Sequence, residues 1–399
     1  MTTEIIEQAD SVIAKTYKRF PVVFTKGNGC TLFDTEGRSY TDFVAGIAVC
    51  NLGHAHDGIT AAITEQAQTL THVSNLYYTV PQVELAAWLV EHSFADRAFF
   101  CNSGAEANEA AIKLARKYFN DRGENNRFRI ITMEQSFHGR TMATLSATGQ
   151  DKIKKGFDPV LEGFDYVPFG DVETLRSKID SNTCAVMLEP IQGEGGVRCP
   201  DAGYLKAVRQ ICDAAGVLLI FDEIQTGMGR TGKLFAYEHF DVEPDIMTLA
   251  KALANGLPIG AMLAREQVAE AFGPGAHATT FGGTPLVTAA ALKVCQTLVQ
   301  GGVIKQGHEA GEYFKEKLLG LKERHKVIVD FRGLGLLIGL KLAINGESMV
   351  KQCLQSGFLI NCIQDNILRF VPPLIIKKEE IDNLINCLDE LLQNLPDSE

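Results

Sequence analysis

Two charged side chains, Asp222 and Lys251, follow apolar runs and could together do carbonyl chemistry. Asp222 ends the run VLLIFD, and Lys251 follows IMTLA, 29 residues further along the chain. A lysine in an apolar setting can be neutral and form an imine with an aldehyde. An aspartate that holds a pyridinium proton strengthens that ring as an electron sink. Singly, Asp222 could cap a turn and Lys251 could lie at the surface, so the hypothesis rests on the pair.

The segment CNSGAEANEAAIKLAR could bind a phosphate group. Ser103, Gly104 and Ala105 follow a predicted strand and open an amphipathic helix, and the free N–H groups at a helix N-terminus bind phosphate well. The same spacing also fits a plain capped helix, in which Ser103 and Glu106 form a capping box. Taken alone, this motif favours the capped helix.

Two further segments carry candidate binding residues. In EQSFHGRT, Phe137 could stack on a planar ring, and Arg140 could donate two hydrogen bonds to a carboxylate. In LEPIQGEGG, Glu189 ends a predicted strand and Glu194 lies in a glycine-rich turn. Core packing of Phe137, a surface ion pair of Arg140 and simple turn chemistry at Glu194 are the alternatives. The loop-like HGR context favours function for the first segment.

The elements that must position these residues alternate between strand and helix. From about residue 97 to residue 264, short apolar runs such as CAVMLEP and VLLIFDE are separated by helical patterns such as EANEAAIKLARKYF and YLKAVRQICDAAG. This alternation predicts an α/β fold whose mostly parallel sheet is covered on both faces. Such sheets bind ligands beyond the carboxyl ends of their strands, which is where most of the candidate residues are expected.

A second, smaller domain is predicted from the two ends of the chain. Residues 31–34 and 39–43 read as a hairpin, and the segments LLIGLKL and ILRFVPP read as strands near a last helix. After Leu286 the pattern is helical to about Leu298. We therefore predict a large domain of residues 60–295 and a smaller α+β domain of residues 1–59 and 296–399.

Composition and charge argue against several classes of function. The chain has 399 residues and a formal net charge of −11, so nucleic acid and anionic membranes are poor partners and a small metabolite is favoured. Its ten cysteines include no C-x-x-C pair, and His54 and His56 lie in a GHAH turn, so no metal site is expected. The N-terminus lacks the apolar core of a signal peptide, which predicts a cytoplasmic protein with reduced thiols.

The motifs, taken together and in order, resemble those of the class-III aminotransferases and, within them, the acetylornithine aminotransferase group. The matching segments are SGAEANEAAIKLAR, FHGRT, LEPIQGEGG, FDEIQTGMGRTGKLFA, AKALANGLPIGA and TTFGGTPL, with DFVAGIAVCNLGHAH and ILRFVPPL near the two ends. The resemblance spans nearly the whole chain. It implies a fold-type I, aspartate aminotransferase-like transferase with a seven-stranded sheet and pyridoxal 5'-phosphate as cofactor.

The resemblance also implies a role for each matched cofactor residue. Lys251 would hold the cofactor as a Schiff base and then move the substrate proton, while Asp222 would pair with the ring nitrogen. Gln225 would hydrogen-bond the ring hydroxyl, and Phe137 would stack on the ring. The phosphate would be held by Ser103, Gly104 and Ala105, and by Thr280 of a neighbouring subunit, so a homodimer is expected.

The substrate residues follow from the same resemblance. Arg140 matches the arginine that binds the α-carboxylate, and Thr279 would lie near the substrate. Glu194 would pair with Arg369 while an amine donor is bound and release it when 2-oxoglutarate enters. That exchange would let one pocket accept two substrates of different charge.

Within the group, the resemblance favours transfer of the δ-amino group of N2-acetyl-L-ornithine to 2-oxoglutarate, a step of arginine biosynthesis. Ornithine aminotransferases carry a tyrosine where this chain has Ile47. An apolar Ile47 offers no hydrogen bond to a free α-amino group, so it suits an acylated one. Other donors stay open: succinyl-diaminopimelate, succinylornithine, ornithine and 4-aminobutyrate. The chain also departs from the family's GGNPL at residues 282–286 and from its GGFP at residues 255–258, near the lysine loop and the phosphate threonine.

Overall fold

A computed structural model describes residues 1–395 of the chain. Its α-helices are α1 (Thr2–Val12), α2 (Ala45–Ala48), α3 (Asp57–Thr69), α4 (Val80–Glu91), α5 (Gly104–Asn120), α6 (Met142–Ala147), α7 (Asp151–Lys154), α8 (Val172–Lys178), α9 (Tyr204–Ala215), α10 (Glu266–Ala269), α11 (Pro285–Gln300), α12 (Val303–Arg324), α13 (Glu347–Gln355) and α14 (Lys378–Gln393). Its strands are β1 (Phe24–Asn28), β2 (Thr31–Asp34), β3 (Ser39–Asp42), β4 (Arg97–Cys101), β5 (Arg129–Met133), β6 (Phe164–Val167), β7 (Thr183–Leu188), β8 (Leu218–Asp222), β9 (Ile246–Leu249), β10 (Gly260–Ala264), β11 (Ile328–Leu334), β12 (Leu337–Leu342), β13 (Phe358–Leu359), β14 (Asn361–Ile363) and β15 (Ile367–Phe370).

The central element is a seven-stranded sheet of order β4-β10-β9-β8-β7-β5-β6. Strands β5 to β9 pair in parallel, and β10 runs antiparallel to both β9 and β4. Every residue of β7, β8, β9 and β10 is buried, as expected for strands that helices cover on both faces. The predicted mostly parallel sheet is confirmed.

Helices α5 and α9 show how the sequence covers this sheet. Helix α5 buries an alanine-rich face that includes Ala107, Ala111 and Leu114, while α9 buries Leu205 and Val208 among others. These apolar stripes recur at helical spacing, so each helix turns one face to the sheet. No single described helix is long and apolar enough to cross a membrane, although the bent pair of α11 and α12 passes a test of length and composition.

Two four-stranded sheets flank the central one. The first has the order β1-β2-β3-β13, and the second has the order β11-β12-β15-β14. Strands β2 and β3 form the predicted hairpin, and β13 from the C-terminal part pairs in parallel with β3. The N-terminal and C-terminal parts of the chain are therefore joined through one sheet.

Candidate active site

A cavity of about 460 Å³ lies beyond the carboxyl ends of the central strands. Ten of the residues singled out from the sequence line it: Ser103, Gly104, Ala105, Phe137, Arg140, Glu189, Glu194, Asp222, Gln225 and Lys251. Its volume falls in the range of small-molecule and cofactor sites. Parallel strands thus bring together residues that are far apart in the sequence.

Lys251 reaches this cavity from the turn that follows β9. Its φ of 47° is in the left-handed region, which a side-chain-bearing residue adopts at a cost and which is found at functional sites. Burial lowers the pKa of its ammonium group to about 8, although the nearby carboxylate of Glu194 opposes the shift. The lowered pKa favours the neutral amine, which is the form that can act as a nucleophile or base.

Asp222 ends β8 and presents a rigidly held carboxylate. Its Oδ2 accepts hydrogen bonds from Asn108 Nδ2 at 2.7 Å and from His138 Nδ1 at 2.8 Å. Its Oδ1 accepts one from the backbone N–H of Ile224 at 3.1 Å. The side chain is 3% exposed and lines the Lys251 cavity, so its orientation is fixed by the surrounding protein.

Asn108 and His138 were not predicted from the sequence as site residues. Asn108 lies on the buried, alanine-rich face of α5, where Thr248 Oγ1 donates to its Oδ1 at 2.7 Å. His138 stands next to Phe137 and is fully buried. A polar residue on an otherwise apolar helix face is the signal that could have found Asn108, because buried amides need partners.

Glu189, predicted at a strand end, links two segments of the site. It accepts hydrogen bonds from the backbone N–H groups of Phe137 at 3.2 Å and Gly193 at 3.1 Å. Burial raises the pKa of its carboxyl group to about 7, with the nearby His138 opposing that shift. Glu189 thereby holds together the segment that carries Phe137 and the turn that carries Glu194.

The start of α5, where the sequence predicts a phosphate cradle, lines the cavity. Ser103 Oγ accepts the backbone N–H of Glu106 at 3.2 Å, whereas the Glu106 carboxylate accepts the N–H of Asn102 at 2.6 Å, one residue earlier than a capping box requires. A Cβ on Gly104 would come within 2.9 Å of Ile224 Cδ1. The helix has 17 residues, and its positive N-terminal end opens on the cavity, which favours an anion there.

Glu194 and Arg369 form an ion pair at the side of the cavity that faces β15. Arg369 Nη1 donates to Glu194 Oε1, and the Arg369 side chain is 1% exposed. Burial acts to raise the pKa of Glu194, but Arg369 and then Lys251 outweigh it, so the pKa lies below its usual value. The two predicted partners therefore meet.

Gln225 forms a hydrogen bond with each member of this pair. Its Oε1 accepts from Arg369 Nη1 at 3.3 Å, and its Nε2 donates to Glu194 Oε1 at 3.5 Å. Gly193 makes this approach possible, because a Cβ there would overlap the Gln225 amide. A Cβ on Gly339 of β12 would likewise come within 3.0 Å of Val197 Cβ, so glycine lets the Glu194 turn rest on that strand. The packing of this turn accounts for the contact with Arg369.

Arg140 and Phe137 lie on the wall shared with a second cavity. The guanidinium carbon of Arg140 is 5.6 Å from the centre of the Phe137 ring, and Arg140 is exposed. The neighbouring cavity, of about 810 Å³, is also lined by Glu194 and Asn361 and by the N-terminal segment 18–21. A substrate carboxylate at Arg140 would therefore have room beyond the Lys251 cavity for the rest of its molecule.

Four predicted residues do not line the cavity: Arg369, which contacts the lining residues Glu194 and Gln225, and three residues that lie elsewhere. Thr280 is exposed, and Thr279 accepts a hydrogen bond from Asn102 Nδ2 at 3.2 Å without lining the cavity. Ile47, invoked for donor selection, is 44% exposed and does not line the cavity either. Their predicted roles therefore stay predictions.

The residues present fit pyridoxal phosphate. A partly neutral lysine, an ordered carboxylate, an aromatic ring and a helix N-terminus surround one cavity, and they match an aldehyde, a pyridine nitrogen, a planar ring and a phosphate. Within residues 1–395, no group of three or more His, Cys, Asp and Glu side chains is arranged to hold a metal ion. The donor set is that of an organic, phosphorylated cofactor.

Comparison with known proteins gives a consistent result. The family described as aminotransferase class-III matches residues 12–392. An acetylornithine aminotransferase of Methanocaldococcus jannaschii is 53% identical over 381 residues, which cover 95% of each chain. The ornithine aminotransferase structure of Toxoplasma gondii is 33% identical with a TM-score of 0.95 and covers 98% of this chain and 95% of that one. The N-acetylornithine aminotransferase structure of Stenotrophomonas maltophilia is 38% identical with a TM-score of 0.84 and covers 97% and 98%.

Proposed function

The chain belongs to the class-III aminotransferases, enzymes that use pyridoxal phosphate, and from this premise we propose that it acts on N2-acetyl-L-ornithine. The reaction transfers the δ-amino group to 2-oxoglutarate and gives N-acetyl-L-glutamate 5-semialdehyde and L-glutamate, by ping-pong chemistry in arginine biosynthesis. The observation that carries the proposal is the 53% identity to an acetylornithine aminotransferase over nearly the whole chain. The pair of the buried Arg369 with the partly exposed Glu194 supports an acceptor with two carboxylates.

We propose that the residues predicted from the sequence bind the cofactor and act on it. Lys251 and Asp222 would be the catalytic pair, with Phe137 against the ring and the start of α5 at the phosphate. When bound, pyridoxal phosphate supplies an aldehyde that takes up the amino group and a ring that withdraws electrons from the reacting carbon. The chain supplies the fixed charges and the proton transfers around it.

Lys251 is proposed to move the proton at the amine-bearing carbon of the substrate. A base works best when its pKa lies near the operating pH, and burial brings the pKa of Lys251 to about 8. Asp222, held by Asn108 and His138, would keep a proton on the ring nitrogen. Neither residue needs to move far, because both already line the same cavity.

Glu194 and Arg369 are proposed to adapt the pocket to its two substrates. Acetylornithine carries one carboxylate, which Arg140 would bind, so a second free guanidinium would be an unpaired buried charge. The ion pair with Glu194 prevents this. When 2-oxoglutarate binds, its second carboxylate would replace Glu194 on Arg369, and the number of buried charges would stay balanced.

We also propose that the enzyme is a homodimer with shared active sites. Leu76 is 84% exposed, Tyr78 97% and Phe281 63%, which is unusual for large apolar side chains and typical of an interaction surface. Asn75 Nδ2 donates to the carbonyl oxygens of Thr279 at 3.2 Å and Gly282 at 3.0 Å, so this patch adjoins the threonine segment. Such a dimer would carry Thr280 towards the phosphate of the neighbouring copy.

Mixed dimers test the sharing of sites. Lys251→Ala and Thr280→Glu chains should each be almost inactive alone, but a mixture refolded together should regain activity. The mixed dimer holds one site in which Lys251 of one copy meets Thr280 of the other. A mixture that stays inactive although native mass spectrometry detects the mixed dimer would refute shared sites.

The proposal also includes a division into two domains and a cytoplasmic location. The division into residues 60–295 and residues 1–59 with 296–399 is supported by the pairing of β13 with β3. A cytoplasmic location is supported by the ten cysteines, all of which are free thiols. Limited proteolysis would test the domain division, and fractionation of the source cells would test the location.

A donor panel tests the proposed substrate. Acetylornithine, succinylornithine, succinyl-diaminopimelate, ornithine and 4-aminobutyrate should be compared by kcat/KM with 2-oxoglutarate as acceptor. We expect acetylornithine to be turned over fastest. Ornithine is the alternative that a structural neighbour favours, since the Toxoplasma gondii enzyme has a TM-score of 0.95. Equal or faster turnover of ornithine would refute the acetylornithine assignment, and formation of glutamate in step with donor loss would exclude an aminomutase.

A further inference from the structure

Arg369 is anchored at a second edge of its guanidinium as well as at the edge that meets Glu194. Its Nε donates to Asn361 Oδ1 at 3.3 Å, while Nη1 carries the contacts with Glu194 and Gln225. We propose that Asn361 is a positioning residue for the acceptor half-reaction, which keeps Arg369 aimed at the cavity after Glu194 has left it. The inference rests on the proposed exchange of Glu194 for a substrate carboxylate.

The sheet register fixes this contact. Asn361 of β14 and Arg369 of β15 are direct partners in an antiparallel pair, and Gly339 of β12 is the partner of Arg369 on the other side. Side chains directly opposite each other in such a pair lie on the same face and within reach. Since Gly339 has no side chain, Asn361 is the cross-strand neighbour that can hold the arginine stem and its Nε.

The hydrogen-bond partners of Arg369 differ in charge and in the nitrogen that they use. These differences decide which partner can keep its contact while a substrate carboxylate replaces Glu194. Glu194 is ionised and occupies Nη1, where an incoming carboxylate would bind, so it must leave. Gln225 uses the same nitrogen. Asn361 is neutral and uses Nε, so it neither cancels the charge of Arg369 nor blocks the nitrogen that the substrate needs.

The surroundings of Asn361 agree with this role. It lines the neighbouring cavity of about 810 Å³, together with Arg140 and Glu194. Gln364, which follows β14, donates from Nε2 to the carbonyl oxygen of Glu194 at 3.1 Å. The β14 strand and its turn therefore contact both members of the exchanging pair, the arginine through its side chain and the glutamate through its backbone.

Variants at Asn361 test the proposal in each half-reaction separately. Single-turnover absorbance changes of the bound cofactor report the donor half with acetylornithine and the acceptor half with 2-oxoglutarate. Calorimetry with glutarate, a dicarboxylate that cannot react, reports binding without turnover. Asn366→Ala is the matched control, because Asn366 lies in the same hairpin but donates to the Leu342 carbonyl instead.

We expect Asn361→Ala to weaken glutarate binding and raise the KM for 2-oxoglutarate by about tenfold, the low end of the usual effect of one hydrogen bond to a charged group. The rate of the donor half-reaction should change less than twofold. Asn361→Asp should weaken glutarate binding further, because its carboxylate would neutralise Arg369. Asn366→Ala should change neither half, and thermal melts should show that each variant folds.

Two results would overturn the inference: equal slowing of both halves in Asn361→Ala, or unchanged glutarate affinity in both Asn361 variants. A wild-type enzyme that failed to react with acetylornithine would instead refute the proposed donor. The glutarate comparison between wild type and Asn361→Ala would still decide the role of Asn361 in that case.

Discussion

The two carboxylates that flank Lys251, Asp222 and Glu194, are held in opposite ways. The hydrogen-bond donors to Asp222 come from α5, from the segment after β5 and from the turn that follows β8, all of them around the central sheet. The main partner of Glu194 is Arg369, which lies on β15 of a different sheet. The donors to one carboxylate lie around one sheet, and the main partner of the other lies on a different sheet.

This difference matches the role that we propose for each carboxylate. The ring nitrogen of the cofactor is present throughout the reaction, so a fixed and preorganised charge serves it best. The two substrates alternate, so the charge that meets them has to be exchangeable. A rigid site and an adaptable one can share a cavity when they are attached to different parts of the fold.

Loss of Lys251, which lies between the two carboxylates, should have the largest effect. Lys251→Ala removes both the nucleophile and the proton-transfer base, so kcat should fall by at least about 10⁴-fold, the upper range for one acid–base group. Cofactor should still bind, though more weakly, through the start of α5. Steady-state assays and equilibrium dialysis of the cofactor measure the two effects, and near wild-type turnover would refute the mechanism.

Substitution of the fixed carboxylate should follow. Asp222→Asn keeps the shape but loses the charge, and kcat should fall by about 10²- to 10³-fold, as when one electrostatic stabiliser is removed. Glu223→Gln is the matched control, because Glu223 is equally buried but accepts from the backbone N–H groups of Ala236 and Tyr237 instead. Glu223→Gln should lower the melting temperature and have only a small effect on kcat. Similar kcat losses in both variants would mean that Asp222 acts only through the fold.

Removal of the exchangeable partner should affect one half-reaction more than the other. Arg369→Ala deletes a buried, hydrogen-bonded charge, a change that typically costs about 2–5 kcal/mol. We expect kcat/KM for 2-oxoglutarate to fall by about 30-fold or more, and the donor half-reaction to fall much less. Arg369→Lys should recover only part, since lysine lacks the two-pronged geometry. Equal damage to both halves would contradict the exchange.

The smallest expected effect is a shift in the pH dependence of Lys251. Because the Glu194 carboxylate favours the charged amine, Glu194→Gln should lower the pKa of Lys251 further below about 8. In cofactor-free protein, labelling of Lys251 by an amine reagent rises with pH through this pKa, so its midpoint should move to lower pH. Mass spectrometry of the labelled peptide gives the midpoint. An unchanged or higher midpoint would show that Glu194 does not act on Lys251.

Much of the fold could be predicted from patterns along the chain. The buried runs of β7 and β8 and the helical stripes of α5 and α9 have strong periodicity, and the parallel sheet followed from their alternation. That Lys251 and Asp222 would lie at one edge of that sheet also followed, because ligands bind beyond the strand ends of such sheets. The contact of Glu194 with Arg369 came only from the family resemblance.

The second layer of the site could not be predicted for a physical reason. Asn108 and His138 act through hydrogen bonds to Asp222 across 114 and 84 residues of chain, and such pairings depend on packing that no local pattern records. Asn361 was missed for the same reason, since its partner is set by strand register. Thr279, Thr280 and Ile47 do not line the cavity of a single chain, so the roles that the family resemblance gives them stay predictions.

The contact of Val197 with Gly339 affects how Glu194 and Arg369 can move relative to each other. Val197 is three residues after Glu194, and Gly339 is the sheet partner of Arg369. The turn that carries Glu194 therefore packs on the strand next to Arg369. A rigid displacement of that sheet would push the turn with it and carry both charges along together. In the proposed exchange, rotation about side-chain bonds would therefore separate Glu194 from Arg369 without a movement of the sheet.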